Sequence, residues 1–389
     1  MKHLLKSTAI GLAAALSLTA GAYADTTQGV TDTEVVIGSN QDMSGIFAAF
    51  GAPAITAANL YFNEVNAAGG VHGRQIQLVV EDHAYQMPKA MSGLNKLVNS
   101  DKVFAMLLSL GTPMNIASFP LLESKGIPNI SPLTAARQMI DPPSPIKYAG
   151  TSSYYEQMVT AVTYMKENEG STTACSMYIP SDFGLEIQEG TVDAAKELGM
   201  TFAAETKHKP DELDFVGSLT KLKSEGCDLI TVALGVRQVI TAVATAKKIG
   251  WTDVKFLGAS ASFHTAIAKV PGGVTEGFFA AAGWSDLASR MDVPEVAAFA
   301  AKYNEATGEA FPGTGALLGH TAAVLMVKAL EAAGPDLTHE TFQAGMESLN
   351  YEDVIANNTV DFSAEDHQGA DEVVISKIVD GNWMEIARK

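Results

Sequence analysis

Cys175 and Cys227 are the only cysteines in 389 residues, and each opens an apolar run, "CSMYIP" and "CDLITVALG". If those runs are neighbouring parallel strands of an exported protein, the two thiols can form a disulfide. Otherwise they are two buried thiols in strand interiors. Neither belongs to a C-x-x-C pair or a cysteine–histidine cluster, so a structural zinc site is unsupported. Acid–base chemistry lacks an organised pair as well. Asp182 and His208 are far apart with no pattern joining them, and no G-x-S-x-G, H-E-x-x-H, phosphate loop or G-x-G-x-x-G occurs. The nearest approach, "GTGALLG", has the wrong last spacing. These residues argue against an enzyme, against a cofactor and against a bound metal.

Composition places the chain among globular proteins, with 47% hydrophobic, 18% charged and 7% aromatic residues, and its length suffices for two domains. Lys2 and Lys6, the apolar "STAIGLAAALSLTAGA" and the small-x-small "AYA" at 22–24 have the form of an export leader cleaved after Ala24. The apolar run is shorter than the ~20 residues a bilayer span needs. No cysteine stands directly after the cleavage site, and no later run reads as a span, so a soluble monomer without membrane insertion is expected. Loss of Lys2 and Lys6 takes the net charge from −18 to −20. So acidic a surface disfavours nucleic acid and anionic membranes as partners.

The elements behind these residues alternate between strand and helix. "EVVIGSNQ" (34–41) reads as a buried strand and the stretch after Gly51 as a helix stopped by Gly69 and Gly70. "QIQLVVED" is a strand ending on Asp82, which caps or turns the chain toward the next helix. Further strand–helix units run to "IPNISP", and a second series starts at "TACSMYIP" and ends at "VKFLGAS". Repeated βα units at short spacing imply parallel sheets with helices on both faces, and two series imply two doubly wound lobes. "FFAAAGWSD" falls outside both series, helices over 295–305 and 319–333 return to the first lobe, and a hairpin turning at Asp380 and Gly381 ends the chain. Several crossings between lobes make a hinge, and a hinge makes a cleft.

"NAAGGVHGRQIQLVVED", "MSGIFAAFG", "SDFG", "VPEVAAFAAKYNEATGEAFP" and the terminal "VDFSAEDHQG…ISKIVDGNW" together resemble type I periplasmic solute-binding proteins of ABC importers, in the branched-chain amino acid group. The resemblance covers nearly all of the mature chain. It implies an α/β periplasmic receptor with two doubly wound αβα lobes on a three-crossover hinge, working with ABC permease subunits on a small-molecule ligand. Lobe 1 would be 25–148 and 281–356, and lobe 2 149–280 and 357–389. A sensor of the same fold, signalling to a membrane receptor, would use the same cleft.

The resemblance also places a site. Phe50, with Phe47 nearby, matches the cleft aromatic after the first strand. Leu110, Gly111 and Thr112, and then Leu133, Thr134 and Ala135, match loops that hold a ligand carboxylate. Phe183 stands at the tip of lobe 2, with Val236 and Arg237 after "LITVALG" and His320 where a tyrosine is common. His83 and Tyr85 read as rim residues. One departure bears on the ligand. Amino-acid receptors of this group carry an acid where this chain has Ser260, and an ammonium buried without a countercharge costs several kcal/mol. The expected ligand is therefore an aromatic or short-chain organic acid. The alternatives are a branched-chain amino acid, with Asp182 as the substitute acid, and an amide or urea-like ligand.

Overall fold

The computed structural model describes residues 27–389. The leader and its cleavage site at Ala24 lie outside them.

One sheet is wholly parallel, in the order β2 (Gln75–Asp82), β1 (Glu34–Gln41), β3 (Ala105–Leu107), β4 (Asn129–Ile130), β5 (Lys147–Tyr148). Helices α1 (Ala48–Ala67), α2 (Met87–Asn95) and α3 (Thr112–Lys125) are its return connections. The reversal between α1 and β2 shows why glycine is required there. Gly70 has φ +74°, and a Cβ on it would overlap the Arg74 carbonyl oxygen.

The chain crosses to a second sheet through residues 149–153 and α4 (Tyr154–Asn168), a helix missed in the sequence pattern. Ser153 caps it in a capping box with Glu156. There follow β6 (Thr173–Tyr178), α5 (Asp182–Glu197), β7 (Thr201–Lys207), α6 (Val216–Ser224), β8 (Leu229–Ala233), α7 (Val236–Lys248), β9 (Lys255–Gly258), α8 (Thr265–Ala268) and β10 (Phe279–Ala282). β10 runs parallel to β9, so it continues the second series instead of standing outside it. The chain then returns to α9 (Pro294–Thr307), α10 (Thr314–Ala333), α11 (His339–Glu347) and the hairpin β11 (Asn350–Asp353)–β12 (Asn358–Asp361). It crosses once more to β13 (Val374–Val379) and β14 (Asn382–Arg388), which complete the second sheet as antiparallel strands.

Cys175 of β6 and Cys227, two residues ahead of β8, are joined as a disulfide with Cα atoms 5.9 Å apart. β6 and β8 are adjacent parallel strands, so the strand placement inferred from the two apolar runs brings the thiols together.

"GTGALLG" has a packing role. Gly315 and Gly319, one turn apart on α10, face α1 with no side chain between the helices. A Cβ on Gly315 would lie 2.5 Å from the Phe50 carbonyl oxygen, and one on Gly319 would overlap that of Ala54. By length and composition α10 could cross a bilayer, contrary to the expectation that no such run follows the leader. More than half of its apolar window is buried inside the protein. Since the clash at Gly319 is with backbone, a Gly319→Ala protein should lose about 2 kcal/mol or more by chemical denaturation. A loss under about 0.5 kcal/mol would mean that α1 and α10 can move apart freely.

Candidate functional site

A parallel sheet leaves space for a ligand beyond the C-terminal ends of its strands. Here those ends face each other across the cleft, around a cavity of about 1030 Å³ of atom-free space, its mouth included. On the lobe 1 side, two loops are zipped together. Leu133 N donates to Ser109 O at 2.9 Å, and Gly111 N donates to Leu133 O at 3.3 Å. Leu108 and Ser131 begin these loops at φ +60° and +41°, left-handed values that cost non-glycine residues about 1–3 kcal/mol. The outcome is that Thr112 Oγ1 and Thr134 Oγ1 lie 2.6 Å apart. Thr112 also begins α3, whose first-turn N–H groups have no partner within the helix.

Tyr154 of α4 meets this pair from lobe 2. Its amide donates to Ala135 O at 2.6 Å. Burial pushes its phenol up to about 12, against the pull of the Ala135 amide and the Thr134 hydroxyl. The phenol therefore remains a donor at neutral pH. Neutral donors thus converge where a carboxylate could sit.

Aromatic rings form the adjoining wall. Phe47 packs edge-on against Tyr85 and Phe183, with centroids 4.9 and 5.7 Å away, and Phe183 packs on Tyr154. Two acids hold Phe47 in place. Asp42 accepts from the Phe47 amide at 2.9 Å, and Asp82 accepts from the Met43 and Ala84 amides, both at 2.9 Å, and from Ser44 Oγ. Asp82 therefore structures the turn. His83 is fully buried and structural as well. Its Nδ1 accepts from the Tyr85 amide, so Nε2 carries the proton and donates to Leu110 O at 3.1 Å.

The cavity continues inside lobe 1, beneath α10, between Leu108, Ala322, Leu325, Val360 and Phe362. Among the described residues its lining includes no lysine, arginine or histidine, and Asp353 is its one acid. Asp353 Oδ1 accepts from the amides of Ile355 and Ala356 at 2.9 and 3.0 Å, while burial raises its pKa.

Ten residues singled out in the sequence line this cavity: Phe47, Phe50, Leu110, Gly111, Thr112, Leu133, Thr134, Ala135, Phe183 and Ser260. Arg237 does not; it is exposed on the first turn of α7. His320 does not either. Leu317, Thr321 and Leu325 face the cavity at four-residue spacing, and His320 points off that stripe. It packs against Phe299 and Tyr61, with centroids 4.6 and 5.2 Å away. Asp182 is exposed and outside the lining, so it is no substitute acid. Sequence reasoning missed Tyr154, Trp284, Tyr351, Asp353 and Asn358, and treated Tyr85 as rim. The polar-aromatic "EDHAYQ" was the only signal for any of them.

The lobes touch on both flanks of the cavity. On one, the Arg137 amide donates to Glu186 Oε1 and Oε2 at 3.0 and 3.1 Å, and its guanidinium lies over the Tyr155 ring and pairs with Glu189. On the other, His264 Nδ1 accepts from the Ala266 amide, so Nε2 donates to Ala49 O at 3.1 Å, and Thr265 exchanges hydrogen bonds with Thr314.

Burial pushes Glu186 up to about 7, outweighing Arg137, and Asp286 up to about 6. A carboxyl raised in the folded state binds its proton more tightly there than in the unfolded chain. Its stabilisation is present below the ordinary value and is lost as pH rises through the folded one. Burial lowers His264 and His320 to about 4, and their contribution is lost as pH falls from about 6.5 through 4. The melting temperature should therefore rise as pH falls from about 8 to about 6.5, where Glu186 takes up its proton, and that gain should be offset below about pH 6.5 as the two histidines lose their contribution. Glu186→Gln should flatten the upper limb; an unchanged slope in that variant would assign the effect elsewhere.

The family described as periplasmic binding protein matches residues 34–382. An amino acid binding protein of Pseudomonas aeruginosa is 24% identical over 197 residues, 51% of this chain and 53% of that protein; the chain thus spans about half the length of this curated relative. Among solved structures, a fatty acid ABC transporter substrate-binding protein from Thermomonospora curvata superposes with a TM-score of 0.83 at 26% identity, covering 92% of this chain and 93% of its own. A solute-binding protein of an R. palustris ABC transporter, in complex with benzoate, has a TM-score of 0.80 at 17% identity over 91% and 96% of the two chains. This last likeness is one of fold.

Proposed function

The chain belongs to the periplasmic binding protein family, and on that basis we propose that it is the solute-binding receptor of an ABC importer. It closes on a carboxylate with an apolar body and passes it to a membrane permease. Its lobes divide at the three crossings, near residues 149, 283 and 362–373.

The observation that carries the reading is the lining of the cavity. Neutral donors converge at Thr112, Thr134 and Tyr154, and aromatic and aliphatic side chains make most of the remainder. Ser260, a neutral residue, lines the cavity, at the position where the resemblance to amino-acid receptors would put the acid for an α-ammonium. The arm beneath α10 gives room for a ring or an alkyl chain. The neighbour from T. curvata, named for fatty acids, supports a ligand of this kind. A branched-chain or related amino acid is the second reading; the curated relative, named as an amino acid binding protein, and Asp353, an acid within the same cavity, favour an amino acid.

The test is a thermal-shift screen of protein stripped of carried-over ligand by unfolding and refolding. It compares amino acids, aromatic acids, aliphatic acids and amides. Aromatic or aliphatic acids should raise the melting temperature by mass action, by several degrees at ~100-fold excess over Kd. Stabilisation by leucine, isoleucine or valine with no response to the acids would overturn the reading and make Asp353 the ammonium partner to test.

A further inference from the structure

Three chain segments meet at the base of the cleft, and each gives the cavity wall a residue with a buried polar atom that has no protein partner. These atoms are Thr151 Oγ1 on the first crossing, Trp284 Nε1 on the second and Asn358 Oδ1 at the start of β12. Trp284 is 5% exposed and Asn358 8%. The segments are in direct contact. Asn358 Nδ2 donates to Gly283 O at 2.7 Å, Ser285 N donates to Ala356 O at 2.9 Å, and a Cβ on Gly283 would collide with Thr151 Oγ1. The orientation of Asn358 is fixed by this arrangement. Its Nδ2 must face the Gly283 carbonyl, so Oδ1 is the atom turned away and left free.

Buried polar groups are nearly always satisfied, and leaving one unpaired costs about 1–3 kcal/mol. An indole N–H can only donate and an amide oxygen can only accept. A group that satisfies both must accept one hydrogen bond and donate another, and the smallest organic group that does so is a hydroxyl. We propose that these three residues form a second polar subsite that selects a hydroxylated acid. The ligand hydroxyl accepts from Trp284 Nε1–H and donates to Asn358 Oδ1, with Thr151 Oγ1 as a further partner. The proposal rests on the carboxylate reading above and adds to it a requirement at the far side of the ligand.

The test measures affinities by calorimetry for matched acids that differ by one hydroxyl. The pairs are benzoate and 4-hydroxybenzoate, 3-phenylpropanoate and 3-(4-hydroxyphenyl)propanoate, and octanoate and 8-hydroxyoctanoate. In at least one pair the hydroxylated acid should bind on the order of tenfold more tightly or better. In Trp284→Phe, which keeps an aromatic ring, and in Thr151→Val, which removes only a hydroxyl, that ratio should fall toward one. The wild-type ratios stand as the test if a variant does not fold. Acids that bind with no preference for the hydroxyl overturn the subsite and leave the carboxylate reading intact. If no acid of any pair binds, both fall. A preference that survives in both folded variants places the hydroxyl elsewhere and overturns the assignment.

Discussion

A Thr112→Val, Thr134→Val double variant should bind its acid ligand roughly 10- to 10²-fold more weakly than the parent while melting within about 2 °C of it. The two hydroxyls lie 2.6 Å apart and both residues are buried. When both members of a hydrogen-bonded pair are replaced by apolar groups of the same shape, neither is left unpaired and the fold loses little. The ligand loses more. One proton of the pair is spent on their mutual bond, so the pair offers the ligand one donor; a hydrogen bond to a charged group contributes about 1.5–3 kcal/mol, which is the stated range of affinity. Either single variant should be less stable than the double, because it leaves one buried hydroxyl without its partner. Calorimetry with the tightest acid from the screen measures the first effect and melting curves the second. Unchanged affinity in a folded double variant would place the carboxylate away from α3 and remove the main support for the proposed function.

Replacing Cys175 and Cys227 together by alanine should cost about 4 kcal/mol of unfolding free energy. The bridge spans 52 residues of sequence, and the chain-entropy relation for a loop of that length gives about 4 kcal/mol at 25 °C. Alanine is the better choice, because both sites are buried and serine would add the cost of burying hydroxyls. The native fold should persist, since β6 keeps its ladders to β7 and β8 on either side. Urea denaturation of the parent, the parent under reductant and the variant compares all three. A loss below about 1 kcal/mol would show that the unfolded chain is already confined by residual structure and gains little from the cross-link.

Several features of the site were legible because they are local. β1 and β2 occupy the same residues that their apolar patterns mark, 34–41 and 75–82. The resemblance points to the loops after β1, β3 and β4, which leave the C-terminal ends of parallel strands, and Phe47, Phe50, Thr112 and Thr134 of those loops line the cavity. Arg237 and His320 failed because each sits on a helix, where a rotation of ~100° per residue decides between cavity and surface. Asp182, at the start of α5, is likewise exposed.

The α/β class and the two series of strand–helix units follow from the order of residues alone, because alternation and glycine stops are written over short windows. Which polar groups stand together is a product of packing. Tyr351, Asp353 and Asn358 belong to the late β11–β12 hairpin, yet they share the cavity wall with Tyr154 of α4. Trp284 joins them from just beyond β10, a strand whose sequence looked like an exit from the second lobe. The physical reason for the division is distance along the chain. Hydrophobic periodicity is a property of neighbours in sequence, whereas a buried hydroxyl, indole or carboxamide acquires its role from groups that only the packing of both lobes brings within reach.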